Sequence, residues 1–538
     1  MSDNFSIIDG SILVIYLVVI LVIAFYSSLK KDRDFTDYFL AGRNVGWFAI
    51  GMAIFATNIS SEHFIGLAGS GSTRGLAVAQ FELMAIFILI ILGWLVAPIY
   101  LKSGVTTVPE LFEKRFDPKI RKFLSGFSIG IYFVTKIAVT LLAGGILFYK
   151  MFGLNIYTFA ILIILITGAY TIIGGAVSVQ KTQVVQAFLL ILGAVLLTYF
   201  GLSEVGGYAG LKAKLPADYF NMFKPISDPD FPWTGIIFGA PIIAFWYWCT
   251  DQYIVQRILG AKSIDDARKG SLLAALLKVL PLFILVIPGL IAVALFPDVV
   301  GDEAYPTLLA SNLLPIGIKG LVVTGLLSAV MSSLSAVFNS IATLYVNDFY
   351  RTKHPEANER KLVLIGRLVT TIVVVAAILC VPLVKAINSE MYLFLQSTQA
   401  FISPPIVAVF LFGLLFKKIS SKAAFLTLII GEVIGLTRFT TDILISLGYV
   451  NNPILLAYSE LNFLHFAILL FLISSGLLFS INYITSKNNL LENSHLSYTL
   501  RESMLDIPSY KKITKSRTSF ILSGFILILI IGVWGLWS

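Results

Sequence analysis

The sequence predicts an all-α polytopic membrane protein with about fourteen transmembrane helices. Of its 538 residues, 57% are hydrophobic and only 13% are charged, and the mean hydropathy is +0.89. Such a composition excludes a soluble globular protein. Apolar runs close to the ~20 residues that span a bilayer recur along the whole chain. They lie at 9–28, 46–71, 78–101, 124–149, 155–173, 182–201, 234–256, 272–296, 317–345, 362–385, 390–415, 424–447, 461–483 and 518–537.

The basic residues are distributed unevenly between alternate loops. They cluster at 114–122, 257–269, 351–361 and 417–422, whereas the other set of loops holds few. Lys and Arg accumulate on the cytoplasmic side of membrane proteins. The net charge of +9 therefore indicates membrane topology rather than a nucleic-acid partner, and it predicts that both termini lie outside. No signal peptide is predicted, because no small-residue cleavage site follows the long first apolar run.

Both cysteines, Cys249 and Cys380, fall inside apolar runs. A disulfide framework or a cysteine-rich metal site is therefore not expected, and each cysteine is interpreted as a small packing residue. The chain has only four histidines, which leaves little material for a membrane-embedded catalytic centre. We do not expect an enzyme.

A polar stretch interrupts the second apolar run. It contains Asn58, Ser60, Ser61, Glu62 and His63, at a depth where polar groups are expensive and normally belong to ion or solute pathways. A helix that breaks inside the membrane also frees backbone carbonyls, which are tolerated only where they line a cavity or bind a ligand. The stretch predicts a transporter with a cation or solute site on a discontinuous helix.

Other apolar runs contain isolated polar residues that need an explanation. Glu82, Lys278 and Gln396 are of this kind, and the run 246–252 places aromatic residues beside polar ones. Glu82 and Lys278 are explained equally well by structural pairing, and the aromatic run by an interfacial belt. Together, however, these groups offer donors, acceptors and a flat apolar face, which is what a polyhydroxyl solute requires.

Hydroxyl groups cluster in the run 317–345, where Ser332 and Ser333 are adjacent. Hard cations such as Na⁺ prefer oxygen ligands, so this cluster is a candidate cation site. The alternative is that each serine hydroxyl bonds back to its own helix, which is common.

Long motifs along the chain match a known family in order and spacing. They resemble the sodium/solute symporters, and most of all the sodium–glucose/galactose cotransporter branch, which includes the bacterial sodium/galactose symporter. The resemblance extends from about Asp37 to Lys418. The matching motifs are Ala56–Gly71, Phe81–Glu82, Tyr170–Gly175, Trp246–Arg257, Lys278, Ser332–Ser333, Asn347–Arg351, and Gln396 with Pro404–Pro405.

The resemblance implies a LeuT-like inverted-repeat fold, in which two sets of five helices are related by a pseudo-two-fold axis. The repeats would cover 46–201 and 233–416, and the first helix of each would be discontinuous. The remaining parts would be an extra N-terminal helix with its loop (1–45), an external loop (202–232), and C-terminal helices (417–538) with a cytoplasmic connector (484–517).

The resemblance also implies three sets of site residues. The sugar site would use His63, Glu82, Lys278, Gln396 and Asn58, with Tyr247 beneath the sugar ring and Trp248 beside it. The outer gate would be Leu67, Phe81 and Tyr392, and the inner gate Tyr247. The sodium site would use the carbonyls of Ala56, Ile59 and Ala329 and the side chains of Ser332 and Ser333.

Four positions depart from the family pattern. His63 stands where the bacterial galactose symporter has Gln, Ala244 replaces an Asn or Thr that contacts sugar, and Ala85 lacks a hydroxyl found in some relatives. These differences leave the identity of the sugar open. Gln183 stands where many relatives carry an Asp linked to a second sodium ion, so we expect one Na⁺ per cycle.

The resemblance implies Na⁺-coupled symport of a galactose- or glucose-like monosaccharide into the cell by alternating access. The alternative is Na⁺-coupled symport of myo-inositol, sialic acid or another polyol. The expected partners are the sugar, Na⁺ and the lipid bilayer, in a bacterial cytoplasmic membrane. Neither the oligomeric state nor a role for Glu62, Lys136, Glu432 or Arg438 follows from the sequence.

Overall fold

The computed structural model of this chain describes residues 5–28, 34–299, 301–381, 390–486 and 510–537. These residues form helices, and the β-structure among them consists of two isolated bridges, between Val45 and Ala261 and between Lys224 and Pro232. Eleven of the described helical segments are long and apolar enough to cross a membrane. The chain is therefore an all-helical, multi-pass membrane protein. Most of the connector expected at 484–517 lies outside the described residues.

The helices follow one another with short connections. In chain order they are α1 Ile7–Ser28, α2 Phe35–Leu40, α3 Trp47–Asn58, α4 Ala68–Arg74, α5 Gln80–Ile91, α6 Ala97–Ser103, α7 Val108–Arg115, α8 Pro118–Tyr132, α9 Val139–Phe152, α10 Ile156–Val205, α11 Gly207–Lys214, α12 Ala240–Phe245, α13 Gln252–Leu259, α14 Ile264–Leu277, α15 Ile287–Leu295, α16 Ala304–Ala310, α17 Ile318–Tyr345, α18 Arg351–Lys353, α19 Glu359–Cys380, α20 Met391–Leu415, α21 Ser421–Ser446, α22 Pro453–Ser459, α23 Phe463–Ser486 and α24 Tyr510–Leu536. Wider π-helical turns join several of them, including His63–Leu67, Phe133–Ala138 and Trp246–Thr250.

A discontinuous helix is predicted at the start of each repeat, and the chain is interrupted in both of the corresponding apolar runs, 46–71 and 234–256. α3 ends at Asn58 because Ile59 is extended, with φ −77° and ψ 105°. The second interruption falls at Asp251, with φ −82° and ψ 119°, between the π-helical turn Trp246–Thr250 and α13. The Asp251 carboxylate accepts a hydrogen bond from the Tyr253 backbone N–H and so caps the helix that follows.

Two glycines permit the chain to bend and to pack closely. α10 is 50 residues long and bends at Gly175, which has φ +55°, so the two apolar runs predicted there form one bent helix. A side chain at Gly175 would also lie 2.6 Å from the Tyr38 carbonyl oxygen. At Gly66, an added Cβ would lie 2.8 Å from the backbone nitrogen of Tyr392. This close approach brings α20 against the first helix break.

α17 lies at the centre of the molecule and α1 at its edge. In the most apolar part of the segment Ile318–Lys353, which contains α17, 94% of residues are buried, against 22% in Ile7–Ser27. α17 packs along α10 and against α3. Its serines are therefore held beside the first helix break.

Candidate functional site

A cavity lies between the two helix breaks. All seven residues predicted to contact a solute line it, as do Phe81 and Tyr392 of the predicted outer gate. Leu67, the third predicted gate residue, is fully buried and is not part of the lining. We call this site the charged cavity. It is lined by Asn58, Glu62, His63, Phe81, Glu82, Ala85, Lys136, Ala240, Ile243, Ala244, Tyr247, Trp248, Lys278, Tyr392, Leu395, Gln396 and Gln399.

An ion pair between Glu82 and Lys278 forms the centre of the charged cavity. Lys278 at the end of α14 is 1% exposed, and Glu82 on α5 is 4% exposed. The Lys278 Nζ also donates to the Asn58 Oδ1 at 2.6 Å. The pairing offered as the structural explanation of the two charges is therefore present. Since buried charges require such partners, a solute in this cavity meets a fixed pair of opposite charges.

His63 lies next to this ion pair. Its Nδ1 accepts a hydrogen bond from the Ser60 backbone N–H at 3.5 Å, and its Nε2 lies 3.7 Å from the Glu82 Oε1. In the neutral ring one nitrogen accepts and the other donates. The Nε2–H therefore points toward Glu82 and the cavity, where a solute hydroxyl would find a donor.

Aromatic side chains form the two ends of the charged cavity. At one end, the Tyr247 hydroxyl accepts from the Asn58 Nδ2 at 3.2 Å, and the Tyr247 ring meets the Trp248 ring edge-on at 5.0 Å. At the other end, the Phe81 and Tyr392 rings lie 6.1 Å apart, and Phe81 also stacks on Phe463. Both ends are buried, so the cavity is covered on both sides.

Most polar side chains of the first helix break are bonded to α9. The Ser61 hydroxyl donates to the Thr140 carbonyl at 2.8 Å, and the Ser60 hydroxyl lies 3.2 Å from the Thr140 hydroxyl. The Thr140 hydroxyl also donates to the Glu62 Oε2 at 3.4 Å. These serines therefore hold the break in place rather than contact a solute.

A second site, the oxygen cluster, lies where α17 meets the end of α3. The Ser332 hydroxyl donates to the carbonyls of Ala56 at 2.7 Å and Ala329 at 2.9 Å. The Ser333 hydroxyl donates to the Thr57 carbonyl at 3.3 Å. The extended backbone at Ile59 directs its carbonyl out of the helix. The five predicted sodium-site residues therefore lie on these two adjoining segments, and the bond from Ser332 to Ala329 shows that back-bonding also occurs.

Three neighbours of the oxygen cluster are not among the predicted sodium ligands. The Gln183 Nε2 donates to the Thr57 hydroxyl at 2.8 Å and to the Ser332 carbonyl at 3.3 Å. The Tyr253 hydroxyl donates to the Thr57 carbonyl at 2.6 Å. Neither Thr57 nor Tyr253 stands out in the sequence, because threonine and tyrosine are ordinary within apolar runs. Their position follows only from the packing of α3, α10 and α13.

Of the four residues without a predicted role, Glu62 and Lys136 line the charged cavity. Arg438 instead bonds Asp442 on its own helix at 2.9 Å and three backbone carbonyls, two in the last turn of α22 and one just after it. Glu432 is 3% exposed, and neither of its carboxylate oxygens has a hydrogen bond within the described part of the chain. Only the first two therefore belong to the site.

Comparison with known proteins identifies the relatives of this fold and sequence. Residues 38–431 match the family model described as Sodium:solute symporter family. The chain is 39% identical over 472 residues to sodium/myo-inositol cotransporter 2 of Sus scrofa, which covers 81% of this chain and 70% of that protein. It is 35% identical over 542 residues to sodium/glucose cotransporter 1 of Ovis aries, which covers 92% of this chain and 81% of that protein.

Solved structures show a similar fold at lower sequence identity. A Na⁺-coupled sialic acid symporter in a substrate-bound, outward-open state has a TM-score of 0.74 at 23% identity, over 89% of this chain and 98% of that one. A nucleobase-cation-symport-1 family transporter in a closed conformation has a TM-score of 0.53 at 15% identity, over 87% of this chain and 98% of that one. At these identities the likeness concerns the fold alone.

Proposed function

The chain belongs to the sodium:solute symporter family, and we propose that within it this protein couples inward sodium movement to uptake of a monosaccharide of the galactose or glucose type. The family consists of transporters, with Na⁺ as the co-transported ion. The proposal concerns the solute, the residues that bind it, and the stoichiometry.

The Glu82–Lys278 ion pair in the charged cavity carries this proposal. A sugar has neutral hydroxyl groups that both donate and accept, so it can bond a carboxylate and an ammonium at the same time. A carboxylate substrate would instead be repelled by Glu82. The Tyr247 ring offers the apolar face that a sugar ring stacks on, and Gln396 and His63 supply further polar contacts.

A cyclic polyol such as myo-inositol is the second candidate. Two of the residues that line the cavity, Ala85 and Ala244, carry no polar group where some relatives do, so fewer contacts fix the solute's orientation. Relatives with 35–39% identity are named for myo-inositol and for glucose. The same cavity chemistry serves both solutes, and sialic acid is less favoured because it is an anion.

The oxygen cluster is the proposed sodium site. The carbonyls of Ala56, Ile59 and Ala329 and the hydroxyls of Ser332 and Ser333 are neutral oxygen donors of the kind that hard cations prefer. Among the described residues, no group of three or more His, Cys, Asp or Glu side chains could hold a metal ion. Gln183 brings no negative charge to this position, and its amide nitrogen donates to the Ser332 carbonyl at 3.3 Å. One Na⁺ per cycle is therefore proposed.

The architecture proposed for the membrane has fourteen spans and two five-helix inverted repeats, at 46–201 and 233–416. The bent α10 counts as two spans and each discontinuous helix as one, which accounts for the difference from the eleven continuous segments. An outer helix (1–45), an external loop (202–232) and a C-terminal unit (417–538) complete it. Both termini would face outside, in a bacterial cytoplasmic membrane.

Transport would proceed by alternating access. Sodium bound at the oxygen cluster ties α3 to α17, and because α3 ends at Asn58, the same segment sets the shape of the charged cavity. Coupling requires only that sodium binds the two states unequally. One charge moving down 100 mV supplies ~2.3 kcal/mol, which supports roughly fiftyfold accumulation of solute before the sodium gradient is counted.

Uptake of labelled galactose, glucose and myo-inositol into proteoliposomes, with and without an inward Na⁺ gradient, tests the proposed function. Sodium should stimulate uptake of at least one of these solutes at least tenfold, and Lys278→Ala and Gln396→Ala should each remove most of that uptake. Lys262→Ala, at an exposed loop lysine, is the matched control. If both cavity variants transported like the wild type, the assigned sugar site would be wrong.

A further inference from the structure

A second cluster of charged groups lies in one wall of the charged cavity. Lys136, in the π-helical turn between α8 and α9, is 4% exposed, and its Nζ lies 4.0 Å from the Asp251 Oδ2. Glu62 lines the same cavity, and its Oε2 accepts from the hydroxyl of Thr140, four residues after Lys136, at 3.4 Å. None of these three groups belongs to the Glu82–Lys278 ion pair.

The charges in this second cluster do not balance. Glu82 and Lys278 neutralise each other, whereas Lys136 faces two carboxylates, Glu62 and Asp251. Among the described residues, Lys136 is the only basic side chain within ion-pair distance of Asp251, and the group at that distance from Glu62 is the His63 Nδ1, at 3.9 Å, which accepts a hydrogen bond and carries no proton. The Asp251 Oδ1 accepts from the Tyr132 hydroxyl and the Tyr253 N–H, but its Oδ2 accepts no hydrogen bond from any residue that the structure describes. One buried ammonium therefore serves two acids, and it cannot pair fully with both.

The two acids lie at different helix breaks. Glu62 belongs to the first helix break, just after α3, and Asp251 forms the second break, just before α13. Lys136 lies on neither broken helix. Its Nζ also lies 4.2 Å from the centre of the Tyr247 ring and 4.7 Å from that of Tyr253, close enough for cation–π attraction. It therefore contacts the aromatic end of the cavity as well as both breaks.

We propose that Lys136 is a positioning residue of the transport cycle, a shared counter-ion that holds Asp251 and the Tyr247 ring while that end of the cavity is closed and pairs with Glu62 when it opens. The proposal rests on the proposed function, since it describes how one gate of that transporter moves. A buried charge that loses its partner is strongly destabilising. A second acid close to Lys136 lets the Asp251 contact break without leaving the ammonium unpaired.

Separate measurements of binding and transport test this role. In Lys136→Met, Na⁺-dependent solute binding should stay within fivefold of the wild type, while uptake falls at least tenfold, because Tyr247 and Asp251 lose the group that orders them. Lys136→Arg should recover at least a third of the uptake because it keeps the cation. Lys150→Met, which removes an exposed ammonium on the following helix α9, is the matched control and should transport normally.

Glu62→Gln provides a second test that keeps the Lys136–Asp251 contact. It should bind solute normally but take it up at least fivefold more slowly, because the ammonium has no charged partner when the gate opens. This variant also covers the case in which Lys136→Met does not fold, which thermal unfolding would show.

Three results would overturn the proposal. They are wild-type uptake in Lys136→Met, wild-type uptake in Glu62→Gln, and a loss of binding that equals the loss of uptake in folded protein. The last would make Lys136 a solute contact. If the wild type itself showed no Na⁺-dependent binding or uptake, the proposed function would fail first, so the two failures are distinguishable.

Discussion

The charged cavity and the oxygen cluster share the end of α3 but differ in chemistry, since one contains charged side chains and the other neutral oxygen atoms. The charged cavity contains a carboxylate and an ammonium that neutralise each other. In the oxygen cluster, the contacts between α3 and α17 run from serine hydroxyls to backbone carbonyls. Residues 56 to 58 at the end of α3 contribute to both sites. A displacement of these few residues therefore changes the geometry of both sites.

This difference underlies the ligands proposed for the two sites. Fixed opposite charges favour a neutral solute rich in hydroxyl groups, since a net-charged solute would be repelled by one partner. Neutral oxygen dipoles favour a small cation, because they hold it without a counter-charge and so can release it again. Weaker binding suits a proposed sodium site that must bind and release its ion in each transport cycle.

Removing one charge of the cavity should have the largest effect. Glu82→Gln or Lys278→Met alone leaves a buried unpaired charge, which costs about 3–5 kcal/mol, and uptake should fall at least a hundredfold. The double variant Glu82→Gln/Lys278→Met removes both charges of this pair, so it should recover stability but not transport. Thermal unfolding and proteoliposome uptake measure the two effects. Recovery of uptake in the double variant would contradict a role for the charges in solute binding.

Removing one hydroxyl of the oxygen cluster should have a smaller effect that concerns the ion alone. Ser333→Ala should raise the Na⁺ concentration for half-maximal uptake about tenfold, equivalent to ~1.4 kcal/mol, and leave solute binding at saturating Na⁺ within twofold. Ser335→Ala is the matched control, since the Ser335 hydroxyl donates to the Ser332 carbonyl within the same helix. Sodium activation curves measure the shift. An equal shift in both variants would argue against a ligand role for Ser333.

A negative charge introduced into the oxygen cluster should strengthen its binding of Na⁺. In the wild type, reversal potentials should correspond to one Na⁺ per solute. Gln183→Asp replaces an amide donor with a carboxylate beside Thr57 and Ser332, and it should increase the apparent Na⁺ affinity two- to fivefold by opposite-charge attraction. Gln180→Asp on the same helix is the control for adding a charge to α10. A wild-type stoichiometry of two would show that the neutral cluster is not the whole ion site.

An acid outside both sites should have the smallest effect. Burial raises the pKa of Asp302 to about 6, although its Oδ2 accepts the Met391 N–H at 3.1 Å. Because the folded pKa lies above the unfolded one, the folded state holds the extra proton, and stability should decline as pH rises from about 4 to about 6.

Asp302→Asn should remove this pH dependence, which we expect to be about 1 kcal/mol because the side chain is partly exposed. Thermal unfolding between pH 4 and pH 7 measures it, while Na⁺-dependent uptake at pH 7 should change less than twofold. Glu303→Gln, at the neighbouring exposed carboxylate, is the control. A wild type with no decline in stability over this range would contradict the prediction.

Local sequence patterns are enough to predict an all-helical membrane fold and many of the residues that line the cavity. Hydropathy is a local property, so apolar runs identify the spans, and a polar residue inside such a run stands out wherever its partner lies. Glu82, Lys278 and Gln396 stand out for this reason, and the family resemblance completes the set of seven predicted solute residues, all of which line one cavity. Leu67 carries no such signal, and it lies outside the lining.

The contacts between polar groups on different helices depend on the tertiary structure. Lys278 pairs with Glu82 across 196 residues, and Tyr253 reaches the Thr57 carbonyl across a similar separation. No local pattern encodes such a contact, because it depends on how separate helices cross. The shared position of Lys136 between two acids is of the same kind. The sequence shows a lysine in an apolar run, and the packing of three helices gives it two carboxylates and the face of Tyr247.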